Sequence, residues 1–351
     1  MPGLIELDGY ILTRQGKDVA NKIEMAYWVK TDTACLKVIP AKQQCIFFVS
    51  KNAIPFLQGL PCIEILDLEY QSFHAETLVL LSCDSLQVQY QVTKLLDQNG
   101  FAHYEHDVRP EDRYIMERAI KGGVRVQGVL SDDKKSLEQA RMKPASYRPD
   151  WSIWSLDIET SVSKNCLLSI AVVSDNLEVC FMVSDHKLND KHIKNYSDEK
   201  SLLLAFMRFI KQFSPDIIIG WNVIGFDLNF IDQRCQFYGL KPAFGVDGLS
   251  WNMRGREDSS KRFISIPGRA VLDGIDLLKV AGYHFDSYSL ENVSREILND
   301  GKLLHGSQRW QEIERLHIED PHAFVAYNLQ DCWLVWRIFK KLNLIELQQT
   351  R

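Results

Sequence analysis

The sequence has no long apolar run: nowhere do hydrophobic residues approach the roughly 18 in succession that a membrane-spanning helix needs. No membrane partner is therefore expected. The opening stretch, Met1-Pro-Gly-Leu-Ile-Glu-Leu-Asp8, lacks the basic region and apolar core of a secretory signal. Its eight cysteines (Cys35, Cys45, Cys62, Cys83, Cys166, Cys180, Cys235 and Cys332) form no Cys-x-x-Cys pair. Its nine histidines show no ligand spacing. A disulfide framework and a histidine-bound zinc are both disfavoured, and reduced thiols in the cytoplasm are expected. A basic surplus is missing as well, since the formal net charge is −5. Divided at residue 150, the chain carries 18 basic and 20 acidic residues before the cut, 23 and 26 after it. Neither part is a basic module, so any DNA contact must be local or metal-bridged. There is no internal repeat and no low-complexity tract.

What remains is a chain of 351 residues, 46% hydrophobic and 25% charged, enough for two domains with buried cores. Residues 1–150 read as β-rich with some helix: Ile23–Val29, Leu36–Ile39, Cys45–Val49 and Leu78–Leu81 are strand candidates. Leu86-Gln-Val-Gln-Tyr-Gln-Val92 alternates with period two and reads as a strand with a turn at Asn99-Gly100. A helix capped by Ser85 and closed by Gly100 competes with it. The two prolines of Lys143-Pro-Ala-Ser-Tyr-Arg-Pro-Asp150 mark the domain boundary, giving domains 1–148 and 149–351. Beyond it, strands over Trp151–Ile158, Leu167–Val173 and Val179–Val183 suggest a meander. A helix follows over Lys200–Phe213, then a buried strand Asp216–Trp221 and a helix from Asp227 to about Tyr238. Later helices are expected over Ile275–Ala281, Ser289–Leu298 and Pro321–Leu342. The class is α/β (mixed α+β) with a mixed sheet in the second domain.

The chemistry concentrates in three acidic motifs. In Ser155-Leu-Asp-Ile-Glu-Thr160, Asp157 and Glu159 share one face of a strand and aim two carboxylates at one point. They repel unless a cation stands between them, and a hard ion such as Mg²⁺ takes carboxylates plus substrate phosphates. The second motif is Gly220-Trp-Asn-Val-Ile-Gly-Phe-Asp227, with Asn222 in a strand-to-helix loop and Asp227 near the helix start. A plain helix cap is the competing role for Asp227. In the third, Tyr327-Asn-Leu-Gln-Asp331, the i, i+4 spacing puts phenol and carboxylate on one helical face beside large apolar residues. Arg254, Arg256, Lys261, Arg262 and Arg269 cluster in a segment broken by Gly255, Glu257 and Asp258, which reads as a solvated loop more than a phosphate grip. Trp333 and Trp336 stand at helical spacing and read as core.

Together, Asp157-x-Glu159, Asn222-x3-Phe226-Asp227 and Tyr327-x3-Asp331 resemble the three exonuclease motifs of family B DNA polymerases, the Asp-Glu-Asp-Asp type with a tyrosine in the third motif. Gly268-Arg-Ala-Val-Leu-Asp-Gly-Ile-Asp276 and Tyr288-Ser-Leu-Glu-Asn-Val293 resemble the family's connecting segments, and Asp107-Val-Arg-Pro-Glu-Asp-Arg-Tyr-Ile-Met-Glu-Arg118 its amino-terminal part. Gly9-Tyr-Ile-Leu-Thr-Arg14, Ile218-Ile-Gly-Trp-Asn-Val223 and Cys332 after the third motif are most similar to bacterial members. The resemblance covers essentially the whole chain. It implies a polymerase amino-terminal domain followed by a ribonuclease H-like 3′–5′ exonuclease domain. Palm, fingers and thumb are absent, since neither a Ser-Leu-Tyr-Pro-Ser nor an Asp-Thr-Asp run occurs, so the chain looks like the amino-terminal part of a longer enzyme.

The family further implies two divalent ions, Mg²⁺ or Mn²⁺. Asp157 would bridge both, Glu159 and Asp331 would complete one site, and Asp227 would hold the second. Tyr327 would orient the attacking water, because a free phenol with a pKa of about 10 is a poor base at neutral pH. Thr160, Asn222, Phe226, Ser289 and Leu290 are the candidates for gripping a single-stranded 3′ end, with core packing (Phe226, Leu290) and helix capping (Ser289) as the competing roles. The implied partners are DNA, the rest of the polymerase and, through the missing part, a sliding clamp, in a cytoplasmic, nucleoid-associated setting. A stand-alone RNA-trimming nuclease and a non-catalytic DNA-binding or partner-docking module are the alternatives.

Overall fold

The computed structural model describes residues 4–185, 188–255, 262–301 and 309–350. The chain divides into two compact units, Met1–Asp150 and Trp151–Arg351. Among the described residues no helix is long and apolar enough to cross a membrane. All eight cysteines are free thiols.

The first unit contains β1 (Leu4–Val19), β2 (Lys22–Lys30), β3 (Cys35–Pro40), β4 (Cys45–Ser50), α1 (Ile54–Leu57), β5 (Ile63–Gln71), β6 (Thr77–Cys83), α2 (Leu86–Gln98), β7 (His103–Tyr104), α3 (Pro110–Met116), β8 (Gly123–Leu130) and β9 (Ser136–Pro144). Strands β1-β2-β3-β9-β8 close into a barrel in which only the β3–β9 pairing is parallel. Between β3 and β8 the chain builds a four-stranded antiparallel sheet, order β5-β6-β4-β7, in a β-α-β-β-α-β sequence. One apolar core runs through both parts, from Met25, Tyr27 and Val126 of the barrel to Phe47, Leu81 and Leu96 of the inserted sheet and helix. The segment Leu86–Val92 is helical. The Ser85 hydroxyl accepts from the Val88 N–H, and Gln89, Val92, Thr93 and Leu96 bury one helical face. The period-two alternation there is a coincidence of composition, so the strand reading of this segment is corrected.

The second unit contains β10 (Ile153–Ser161), β11 (Cys166–Ser174), β12 (Leu177–Val183), β13 (Ile193–Tyr196), α4 (Glu199–Phe213), β14 (Ile217–Gly220), α5 (Asp227–Phe237), β15 (Asn252–Arg254), β16 (Phe263–Ser265), β17 (Ala270–Asp273), α6 (Gly274–Val280), α7 (Leu290–Leu298), α8 (Arg309–Glu319), α9 (Pro321–Lys341) and α10 (Leu344–Thr350). Its main sheet has the order β13-β12-β11-β10-β14-β17. The β10-β11-β12 meander is antiparallel, while β13, β14 and β17 pair in parallel.

Side-chain alternation gives this sheet two apolar faces. Trp154, Leu156 and Ile158 of β10 face Leu202, Phe206 and Ile210 of α4. Ala171, Ile217 and Ile219 face the other way, into the core formed with Phe324, Leu334 and Phe339 of α9. Ser155, Asp157 and Glu159 follow the second parity, and Ser155 Oγ donates to the Cys332 carbonyl of α9 at 2.9 Å. The strand therefore turns its acids toward α9. That helix starts at Asp320, whose side chain accepts from Ala323 N–H, with Pro321 in its first turn and Lys340 and Lys341 in its last.

The arginine-rich segment needs correction. Arg269 is not in a solvated loop but 1% exposed, donating to the carbonyls of Phe244 (2.6 Å), Ile210 (3.2 Å) and Pro215. A guanidinium offers five donors in a planar fork and can gather several carbonyls at once, here at the end of α4. Arg254 is exposed at the end of β15, and Arg262 is partly buried. Arg256, Glu257, Asp258 and Lys261 lie outside the described residues. Trp336 is core, 5% exposed, and Trp333 packs against the same cluster.

Candidate active site

Asp157, Glu159 and Asp331 converge. One carboxylate oxygen from each lies within 4.8 Å of the other two, in the one such cluster among the described residues. Glu159 and Asp331 are buried, at 6% and 1% exposure, and Asp157 is half-buried. The two strand acids sit next to the bulge between Glu159 and Thr160, where the β10–β11 register shifts. A bulge bends the strand end and re-aims its side chains, a device common beside active sites. Asp331 comes down from α9, with the Tyr327 hydroxyl donating to its Oδ2 at 3.1 Å.

Asp227 joins from α5. It is the first residue of that helix, and besides its own backbone N–H its carboxylate takes a distant partner: Oδ1 accepts the Ile158 N–H at 3.0 Å. The side chain thus reaches beyond the helix end onto β10, at the residue between Asp157 and Glu159. Burial, and next the Asp157 carboxylate beside it, push Asp227 well above the ordinary carboxylate range. The turn before it is held by Asp273, whose carboxylate oxygens accept from the N–H groups of Asn222 (3.3 Å), Ile224 (3.4 Å) and Ile275 (3.0 Å). Asn222 takes a left-handed conformation (φ 56°) there.

A cavity of about 490 Å³ opens over Asp157, Glu159 and Asp227, lined also by Thr160, Phe226, Ser289 and Leu290 among others. Of the candidate substrate residues, Phe226 is 45% exposed on the rim and is not core. Leu290 is 5% exposed and packed in the α9-side core, so it offers only its cavity edge. Ser289 is the N-cap of α7, accepting from the Asn292 N–H at 3.2 Å. Thr160 lines the cavity; Asn222 is exposed in the turn and does not. Tyr327 is buried behind Asp331, 1% exposed.

Helix α8, which the sequence did not announce, supplies the facing wall through Trp310, 42% exposed, and Ile313. An exposed tryptophan in the polar run Arg309–Glu319 was the available signal. Glu314 fixes this helix to the turn after β10, accepting from Ser161 Oγ (2.6 Å), Ser163 N–H (3.0 Å) and Ser163 Oγ (2.9 Å).

The donor set fits a hard divalent cation: carboxylate oxygens only, close enough to share an ion. The family model for the DNA polymerase family B, exonuclease domain, matches residues 101–293. The chain is 33% identical to DNA polymerase II of Escherichia coli (strain K12) over 349 residues, covering 96% of this chain and 44% of that protein. It is 32% identical to the DNA-directed DNA polymerase of Escherichia phage RB69 over 162 residues, 43% of this chain and 17% of that one. It is 30% identical to the DNA polymerase delta catalytic subunit of Glycine max, also over 162 residues, 15% of that protein. The chain thus spans less than half the length of each of these relatives.

Proposed function

The chain belongs to the exonuclease domains of family B DNA polymerases, and from that premise we propose that it is the proofreading part of a longer DNA polymerase. On this reading it removes the 3′-terminal nucleotide of DNA as a nucleoside monophosphate. The observation that carries it is the meeting of Asp157, Glu159 and Asp331, with Asp227 drawn onto the same strand, at a cavity that Asp157, Glu159 and Asp227 line. DNA and the remainder of the polymerase are the partners it requires.

Asp157, Glu159 and Asp331 would hold one divalent ion, and Asp157 with Asp227 a second, Mg²⁺ or Mn²⁺. Bound there, such ions would make water more acidic and stabilise charge on the phosphate and leaving oxygens. The protein's own groups do the rest. Hydrolysis places hydroxyl on phosphorus, breaks the bond to the 3′-oxygen of the preceding nucleotide, and returns a proton to that oxygen. Glu159 accepts a hydrogen bond from the attacking water, and Tyr327, its hydroxyl set by Asp331, fixes the water's direction. Phe226 and Trp310 offer apolar faces to unstacked bases, a grip that tolerates any sequence, as a mispaired end demands.

The test is incubation of the purified chain with 5′-labelled single-stranded DNA, in Mg²⁺ or Mn²⁺ and in EDTA. A ladder shortening from the 3′ end, dependent on metal and absent in Asp157→Ala, is expected. Wild-type-like cleavage by Asp157→Ala, or metal-independent DNA binding without cleavage by the folded chain, overturns the reading.

A further inference from the structure

Asn328 is fully buried on α9, between Tyr327 and Asp331 in sequence, and 0% exposed. Its side-chain nitrogen donates to Asp157 Oδ2 at 2.7 Å. Its amide oxygen accepts the Ser169 hydroxyl at 2.7 Å, with Cys180 Sγ at 3.8 Å from the same oxygen. Chemistry fixes this orientation, because a carboxylate only accepts whereas a serine hydroxyl can donate. Ser169 is itself 0% exposed and stands directly opposite Glu159 in the β10–β11 ladder. Residues opposite one another in an antiparallel pair share a face. The chain of contacts therefore runs Ser169 to Asn328 to Asp157 across three elements, inside the face that carries the acids.

We propose that Ser169 and Asn328 form a positioning relay that sets the Asp157 carboxylate for divalent-ion binding. The inference rests on the metal-dependent reading given above and extends it beyond the four acids. The same helix carries Asp331 and Asn328, so α9 places one ligand directly and orients another through its amide. An amide is suited to this task because it orients a carboxylate without cancelling its charge. A lysine or arginine there would compete with the ion for Asp157. Ser169 in turn stops the amide from turning over, since a flipped amide would set its oxygen against the carboxylate. Partners of this kind, one bond behind a metal ligand, are typically worth 10–100-fold in metal affinity or activity.

The experiment measures Mn²⁺ binding directly, by electron paramagnetic resonance of free Mn²⁺, on the whole chain without DNA. Wild type, Asp157→Ala, Asn328→Ala, Ser169→Ala and the Asn328/Ser169 double variant are compared, each with a circular dichroism melt in EDTA. Asn328→Ala should raise the Mn²⁺ dissociation constant about 10–100-fold. Ser169→Ala should raise it less, by about fivefold, the worth of one buried hydrogen bond. The double variant should bind no worse than Asn328→Ala, because Ser169 acts only through Asn328. A merely structural asparagine would lower the melting temperature and leave the Mn²⁺ constant alone, which overturns the relay, as does additive loss in the double variant. If Asn328→Ala fails to fold, Ser169→Ala decides: an unshifted constant there overturns the proposal. A wild type that binds no Mn²⁺, or that is matched by Asp157→Ala, overturns the metal reading itself and is recognised by that pattern.

Discussion

Replacing Asp157 by asparagine should stabilise the metal-free protein while removing its chemistry. The oxygens of Asp157, Glu159 and Asp331 lie within 4.8 Å of one another. Two full charges at that spacing, in an effective dielectric of about 20, repel by roughly 3.5 kcal/mol. Asp157→Asn removes two such pairs, and it also relieves Asp227, whose carboxyl is raised first by burial and next by Asp157. The Coulomb sum, about 7 kcal/mol, is a ceiling, because a crowded carboxylate takes up a proton instead of bearing the full repulsion. A net gain of about 1–3 kcal/mol follows. The new amide keeps the contact to Asn328 through its oxygen, in place of Oδ2, and turns its own N–H groups to the remaining acids. For a unit of this size each kcal/mol moves the midpoint by roughly 2–4 °C, so the variant should melt about 2–12 °C above wild type in EDTA. Saturating Mn²⁺ should raise wild type through mass action and leave the variant nearly unmoved, reversing their order. Differential scanning calorimetry in EDTA and in Mn²⁺ reads both effects, alongside cleavage of labelled DNA. A variant that melts at or below wild type in EDTA refutes the claim that the acids repel; one that still gains from Mn²⁺ refutes Asp157 as a ligand.

Tyr327→Phe removes the hydroxyl that donates to Asp331 Oδ2 and should slow single-turnover cleavage about 10–100-fold with the Mn²⁺ constant unchanged. Unaltered turnover would take the water-orienting role away from Tyr327. Trp310→Ala and Phe226→Ala, made in an Asp157→Ala background so that DNA survives, should each weaken single-stranded DNA binding by roughly 1–3 kcal/mol, read by fluorescence anisotropy. Affinity equal to the background would exclude stacking on those rings. Helix α8 should loosen on acidification: the Ser161 hydroxyl, and then the Ser163 backbone, hold Glu314 below its ordinary 4.5, and burial holds His317 below 6.5. Both groups are depressed in the folded state, so their contributions are present above those values and are lost as pH falls, His317 first from about 6.5 and Glu314 below 4.5. Hydrogen exchange of α8 amides, corrected for intrinsic rates, should rise in those two windows, and Glu314→Gln should remove the lower one. Flat protection across both windows contradicts the assignment.

How much of this could be read beforehand depended on the range of the interactions involved. The shared face of Asp157 and Glu159 follows from strand period, and that of Tyr327 and Asp331 from helix period, so both pairs were legible from a few residues. That the pairs meet was carried by the family resemblance, since 172 residues separate Glu159 from Asp331 (331 − 159). For Asp227 a helix cap competed with a place in the acidic site because capping is local; its partner on β10, the Ile158 N–H, is 69 residues away. Arg269 looked solvated for the same reason, the carbonyls that hold it lying 25 to 59 residues distant. The barrel was not legible at all. Strand β1 gives Leu4–Tyr10 to β8 and Tyr10–Val19 to β2, and no periodicity within β1 announces a partner more than a hundred residues on. Helix α2 stayed open between strand and helix, because its polar residues fall at alternate positions and satisfy two periods at once; the Ser85 cap separates them.

The three aspartate contacts share a logic that the composition already hinted at. Asn328 donates to Asp157, the Ile158 backbone to Asp227 and Tyr327 to Asp331, and each donor is electrically neutral. Neutral donors fix where a carboxylate points without spending its charge, so the site keeps its attraction for a cation. A chain with a net charge of −5 cannot rely on broad electrostatic attraction to hold a polyanion. On the proposed function, its hold on DNA would come from aromatic faces such as Phe226 and Trp310, and from cations shared between the carboxylates and a substrate phosphate. That division assigns affinity to the rim and chemistry to the floor. Losses on the rim should therefore appear in DNA binding at constant Mn²⁺ affinity, and loss of the Asn328 contact to Asp157 in Mn²⁺ affinity, with DNA binding in EDTA unchanged.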